Sequence, residues 1–138
     1  MSIRRAGYAV LLWALLCAAL PAAADSLARI VRLSYLDGDV QIDRATGRGF
    51  ERAVLNLPLV QGAQLATRDD GSAEVEFEDG STLRLIPNTS VVFHDLSLRT
   101  SGERLTRVEL LEGTAYLEAT KKKGDLSIVT GGQEITLP

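Results

Sequence analysis

The residues best suited to chemistry in this chain lie between Glu74 and Asp95. Glu74, Glu76, Glu78 and Asp79 stand in and just ahead of the segment FEDGSTLRLIPNTSVVF (Phe77–Phe93), and the single histidine, His94, follows it beside Asp95. Two chemistries use such residues. A hard divalent cation takes about six to eight oxygen ligands at fixed loop positions, and Asp69 and Asp70 would join the four acids. A hydrolase takes a Ser–His–Asp arrangement, for which Ser90, His94 and Asp95 supply the residue types. Neither has the right spacing. The acids follow no calcium-loop pattern, and the three triad types crowd into six consecutive positions of one strand, where His94 and Asp95 should point to opposite faces. No Gly-x-Ser-x-Gly turn occurs to expose a nucleophile. A zinc ion would have one histidine and otherwise carboxylates alone. The expected catalytic, cofactor-binding and metal-ligating residues are therefore none, and the chain is not expected to be an enzyme.

The acids have a plainer role if their elements are strands. With Val75 and Phe77 facing a core, Glu74, Glu76 and Glu78 line the opposite, wet face. Thr82 and Arg84 then lie across a hairpin from them, within reach of cross-strand charge pairing.

The first residues bear on the compartment. Arg4 and Arg5 precede an unbroken apolar run from Ala9 to Leu20, followed by Pro21 and three alanines to Ala24. A basic start, a short apolar middle and an Ala-x-Ala end describe a secretory signal peptide over residues 1–24, cut after Ala24. As a helix the apolar run rises about 18 Å, short of the roughly 30 Å of bilayer hydrocarbon, so no stable membrane span is expected after cleavage. The only cysteine, Cys17, falls inside this leader, with the large Leu16 before it where lipoprotein processing needs a small residue. The remaining domain, residues 25–138, thus lacks thiolate ligands, thiol nucleophiles and disulfides. Loss of Arg4 and Arg5 moves the net charge from −3 to −5. The Lys121–Lys123 triplet suits a solvated loop, and nucleic acid is not an expected partner.

Past the leader, apolar and polar residues alternate in short runs: RIVRLSYL, DVQI, SAEVEFE, STLRLI, SVVF, TRVELL, TAYLEA and DLSIVT. Gly, Asp, Asn or Pro bounds each run, and no long stretch keeps a helical period, which predicts an all-β domain. Short antiparallel strands and hairpins would form a sandwich-like or winding, solenoid-like architecture. Three turns share one grammar: LDGDV at Gly38, EDGST at Gly80 and LEGTA at Gly113, with a weaker DDGSA at Gly71. Face matching predicts two-residue hairpins at Gly38, pairing Leu33 with Ile42 and Tyr35 with Val40, and at Gly113, pairing Val108 with Leu117 and Leu110 with Ala115. At Gly80 a two-residue loop would mix faces. A three-residue loop, Glu78–Asp79–Gly80, pairs Val75 with Leu83 and Ala73 with Leu85, and needs Gly80 left-handed.

Sugar binding calls for exposed aromatic platforms. Beyond the leader there are Tyr35, Phe50, Phe77, Phe93 and Tyr116, and the alternation assigns most of them to core faces. Asn88 heads an Asn-Thr-Ser sequon, but beside Pro87 in a bacterial-looking export it serves a turn.

Three phrases in order, YLDGDVQI, LNLPLVQGAQLATRDDGSAEVEFEDGSTLRLIPNTSVVF and VELLEGTAYLEA, make residues 29–118 resemble the FecR domain family. Gly62 and Thr67 before a strand, then Asp79-Gly80-Ser81, an apolar strand and Asn88 are the most recognisable part. The resemblance implies a bacterial extracytoplasmic β domain with no catalytic residues. Full-length members look like sensors whose inner domain holds a sigma factor, while the outer domain receives a signal from an outer-membrane transporter. Here only about seven residues precede the apolar run, so the sigma-factor role is not expected to carry over. What the resemblance implies is a periplasmic or secreted binding or sensing module whose partner is an envelope or periplasmic protein. The alternative is a structural envelope module that binds cell-wall glycan or polysaccharide. At the other end, TGGQEITLP reads as a hairpin arm without its partner, and the domain is expected to be truncated there.

Overall fold

Every described element of the chain is a strand or a turn, as the period-two alternation requires. The computed structural model describes residues 29–120 and 125–137; the signal peptide expected over 1–24 and the Lys121–Lys123 loop lie outside them. The strands are β1 (Arg32–Asp37), β2 (Val40–Asp43), β3 (Phe50–Arg52), β4 (Gln64–Thr67), β5 (Ser72–Glu76), β6 (Thr82–Leu85), β7 (Ser90–Leu98), β8 (Arg104–Glu112), β9 (Ala115–Glu118), β10 (Asp125–Thr130) and β11 (Gln133–Leu137). They form a small sheet, β1-β5-β6-β9, and a large one, β11-β10-β8-β7-β4-β2-β3, so the domain is a β sandwich. The alternate apolar residues meet between the sheets. Leu33, Val75, Leu83 and Leu85 from the small sheet and Ile42, Leu65, Val91, Phe93 and Val108 from the large one are all essentially sealed from solvent.

The order of strands reveals how the chain is wound. Four times it crosses to the other sheet by a tight bend, β1 to β2, β4 to β5, β6 to β7 and β8 to β9, and a fifth crossing follows from β9 to β10. The domain is thus largely an antiparallel meander of bent strands folded in half, with all four bends side by side along one end. The last coil differs, because β10 returns to the large sheet parallel to β8 before turning back into β11.

This winding corrects two of the expected hairpins. Gly38 and Gly113 are not hairpin turns but sheet-to-sheet corners. Leu33 pairs with Val75 rather than Ile42, and Leu117 pairs with Leu83 rather than Val108. Face matching was satisfied either way, since a residue pointing into the sandwich does so from either sheet. The Gly80 hairpin stands as expected: Val75 lies opposite Leu83, Ala73 opposite Leu85, and Gly80 has φ +86°. The expectation that the TGGQEITLP arm lacks a partner is corrected, since β11 pairs along its length with β10.

The corners fit because glycine removes what would collide. A Cβ on Gly71 would lie 2.2 Å from the Asp39 carbonyl oxygen, and one on Gly38 would lie 2.2 Å from that of Asp70, so each corner nests in the other. Main-chain bonds then run from corner to corner. Arg68 N–H donates to the Asp39 carbonyl at 3.0 Å, and Asn88 N–H donates to the Arg68 carbonyl at 3.1 Å. Two buried threonines carry the chain onward. Thr67 Oγ1 donates to the Ile86 carbonyl at 2.7 Å and accepts from Thr89 N–H at 3.0 Å; Thr89 Oγ1 donates to the Thr114 carbonyl at 3.0 Å and accepts from Thr114 N–H at 3.1 Å. Asn88, the sequon asparagine, supplies the left-handed residue of the third corner with φ +58°.

Gly71→Ala is therefore expected to destabilise the domain by about 2–3 kcal/mol, the cost of forcing a methyl into packed structure. Gly102→Ala, at a hairpin with nothing near its Cβ position, should lose only the left-handed backbone cost of about 1–2 kcal/mol. Urea unfolding midpoints of the two variants check this ordering.

Candidate functional site

The acidic residues Asp69, Asp70, Glu74, Glu76, Glu78 and Asp79 divide by position. On the outer face of the small sheet, Glu74 pairs with Arg84 at 2.7 Å and Glu76 with Arg32 at 3.0 Å, both exposed pairs of modest worth. Asp79 shapes the hairpin: its carboxylate accepts from Ser81 N–H at 2.9 Å and from Ser81 Oγ at 3.0 Å, and its carbonyl accepts from Thr120 Oγ1 at 2.9 Å. Asp70 accepts from Asp39 N–H at 3.2 Å in the nested corners. Asp69 and Asp70 thus lie at one end of β5 and Asp79 at the other, so the acids do not converge. Among the described residues no group of three or more His, Cys, Asp and Glu side chains gathers as a metal site would.

Glu78 departs from the expected wet face. Its carboxylate meets Arg29 at 2.7 Å, and the two side chains are only 14% and 5% exposed. Arg29 also donates to the Leu105 carbonyl, tying the start of the described chain to the hairpin and to β8. Burial alone would push the Glu78 carboxyl up. The hydrogen bonds from Arg29 and from its own backbone, with the charges of Arg29 and Arg104, outweigh that and hold it below its ordinary value.

The triad types are likewise not assembled. Ser90 accepts from Gln64 Nε2 at 2.9 Å at the start of β7, His94 Nε2 engages the Glu109 carboxylate, and Asp95 accepts from Ser97 N–H at 2.9 Å. The expected divergence of His94 and Asp95 is overturned by a bulge. Phe93 pairs with Val108 and Asp95 with Arg107, leaving His94 as the extra residue. The bulge shifts the alternation by one, so both side chains lie on the outer face, each with a different partner.

A second bulge exposes Tyr35, which the alternation assigned to the core. On β1 the pairing slips between Leu33 and Tyr35, so Leu33 points inward and Tyr35 outward beside Glu74. Tyr35 is 50% exposed and Tyr116 on β9 is 61% exposed; Phe50 on β3 is exposed as well, leaving Phe77 and Phe93 as the core aromatics. Register places Tyr35, Glu74, Arg84 and Tyr116 in one row straight across the small sheet. Two tyrosines therefore flank an ion pair, about 14 Å apart over three strand spacings. Even spacing of apolar residues hid this row, and only the slip at Ser34 would have revealed it. Concave features among the described residues are shallow: one of about 340 Å³ beside Asp95, Arg107 and Glu134, and a polar one of about 220 Å³ beside Phe50 and Arg68.

The folded-over meander with glycine corners is an all-β sandwich of a four-stranded and a seven-stranded sheet. The sequence model described as FecR protein matches residues 63–137, more than half of the chain, and the protein belongs to the FecR family. Comparison with curated proteins gives no match, and comparison with solved structures gives none either. The matched region begins at Ala63, later than the resembling residues 29–118, and extends past them through β10 and β11.

Arg29→Ala should cost about 2–4 kcal/mol, because it strands the Glu78 charge in a mostly buried position. The same pair predicts an acid dependence. Glu78 is held below its ordinary value of about 4.5, so its stabilisation is fully present above that pH and is lost as pH falls through the lower folded value. Chemical unfolding of wild type and Glu78→Gln between pH 7 and 3 should show the variant less stable at neutrality and the gap closing in acid.

Proposed function

We propose that this protein is a non-catalytic, extracytoplasmic sensing module that acts through contacts with an envelope or periplasmic protein. The observation that carries this reading is the row Tyr35–Glu74–Arg84–Tyr116 on the open face of the small sheet. Tyrosine and arginine are the side chains that most often anchor protein interfaces, and a flat strand face presents them with little ordering cost. Membership of the FecR family, a family of regulators, supports a sensing role. The leader-like start supports export to the periplasm or beyond. No helix among the described residues is long and apolar enough to cross a membrane.

One observation favours a second reading. Two exposed tyrosines on either side of polar groups also suit stacking on sugar rings, as an envelope module holding cell-wall glycan would require. The two readings separate in one experiment. Purified protein is offered to solubilised envelope proteins and to insoluble peptidoglycan. Specific, saturable binding of an envelope protein, weakened about tenfold or more by Tyr116→Ala or Arg84→Ala with the fold intact, is expected. Retention on peptidoglycan that is lost with both Tyr35→Ala and Tyr116→Ala, without envelope-protein binding, would replace this reading with the glycan one.

A further inference from the structure

The two edges of the small sheet are finished differently. Along β1 the segment Leu57–Leu59 lies extended against the edge, entered through the left-handed Asn56. Leu33 N–H donates to the Leu57 carbonyl at 3.0 Å, Asn56 N–H to the Leu33 carbonyl at 2.9 Å, and Leu59 N–H to the Val31 carbonyl at 2.8 Å. Leu57 and Leu59, two apart, are buried between the sheets, while Pro58 between them bridges to Arg32 and offers no donor outward. The segment is an edge guard. It bonds to the strand backbone and pushes alternate side chains into the gap between layers.

At the other edge, no strand among the described residues pairs with β9 beyond β6. The large sheet nevertheless continues past β8 by two strands, β10 and β11. Register puts Ile128 and Ile135 in one row with Val108, on the side facing the interior. Leu126 and Leu137 form the next row. Leu126 is buried, Ile128 and Leu137 are half-buried, and Ile135 is 54% exposed. A strip of apolar side chains thus projects beneath an open strand edge, with β9 contributing Leu117 above it.

We infer that the β9 edge, with the Ile128–Ile135 strip below it, receives an extended polypeptide strand from a partner protein, with apolar side chains at alternate positions. The inference rests on the reading that the protein works through protein contacts. Three observations select this occupant. The edge offers main-chain donors and acceptors that only an extended backbone satisfies in series. Apolar residues two apart in an extended strand would fall on the strip, as Leu57 and Leu59 do at the guarded edge. A second copy joined β9 to β9 is disfavoured, because each copy carries a two-strand overhang about 10 Å wide and both would enter the same layer. Exposed Glu118 on the outer side of β9 adds a preference for a basic residue at an outward position of the incoming strand.

The test uses the full chain, isotope-labelled, with two synthetic peptides of one composition: acetyl-Thr-Val-Lys-Val-Thr-Val-amide and the bunched acetyl-Val-Val-Val-Thr-Thr-Lys-amide. The alternating peptide is expected to shift the amides of Ala115–Glu118 saturably and slow their hydrogen exchange, while the bunched peptide does neither. Ile135→Lys should weaken that binding at least tenfold with the rest of the spectrum unchanged, and Ile30→Lys, exposed elsewhere, should not. Absence of the response, shifts confined to other strands, insensitivity to Ile135→Lys, or concentration-dependent self-association through β9 would each overturn the inference. If the peptide response fails while envelope-protein binding through Arg84 and Tyr116 persists, only the strand inference falls. If wild type binds no envelope protein at all, the broader reading falls with it.

Discussion

The domain depends on one constraint, the close stacking of four chain bends at one end of the sandwich. Each bend must carry the backbone from one sheet to the other within a few residues, and each lies against its neighbour. The Gly38 and Gly71 bends nest so closely that neither has room for a methyl group. Gly113 packs the same way against Asn88 and Thr89, with a Cβ position 2.3 Å from the Asn88 carbonyl. Buried polar backbone at such a place would be costly if unpaired. Thr67 and Thr89 meet this need: each hydroxyl both donates and accepts, filling the gaps where the corner backbone leaves the ladders. Register in both sheets follows from the stack, because fixing where a strand bends fixes which residues lie opposite its neighbours.

That constraint explains what the sequence could and could not convey. Alternation identified the strands other than β3 and β4, and most of the core, since period two survives in either sheet. The Gly80 loop was legible because its two candidate lengths place different residues in the interior, and only one keeps Val75 and Leu83 together. At Gly38 and Gly113 no such discrimination exists. A left-handed glycine serves a hairpin and a corner equally, and Leu33 and Ile42 face inward in both arrangements. The choice is made by partners distant in sequence, β5 for β1 and β6 for β9.

The misreadings of Tyr35 and Asp95 share another origin. Bulges at Ser34 and His94 each insert one residue and reverse the faces beyond it. The first turns Tyr35 outward and creates half of the exposed tyrosine pair; the second brings Asp95 to the same side as His94. Nothing in the local composition marks either position, since Ser and His are ordinary in alternating strands. Half of the exposed tyrosine row is thus the part that strict alternation conceals.

The acids show how one residue type is divided among roles by burial alone. Glu74 and Glu76 are screened by water and matched by exposed arginines, so each contributes little to stability. Asp79 acts through geometry, closing the hairpin against Ser81 and Thr120. Glu78 sits two residues beyond Glu76, where the sheet edge is covered by the segment entering the domain, and it alone is drawn into a buried pair. Its partner Arg29 reaches both this hairpin and the Leu105 carbonyl of β8, so the pair clasps the two sheets at the end opposite the corners. The sandwich is therefore fastened at both ends by different means, hydrogen-bonded backbone at one and an ion pair at the other. The second holds a carboxylate below its ordinary value, so that end loosens as acid protonates it.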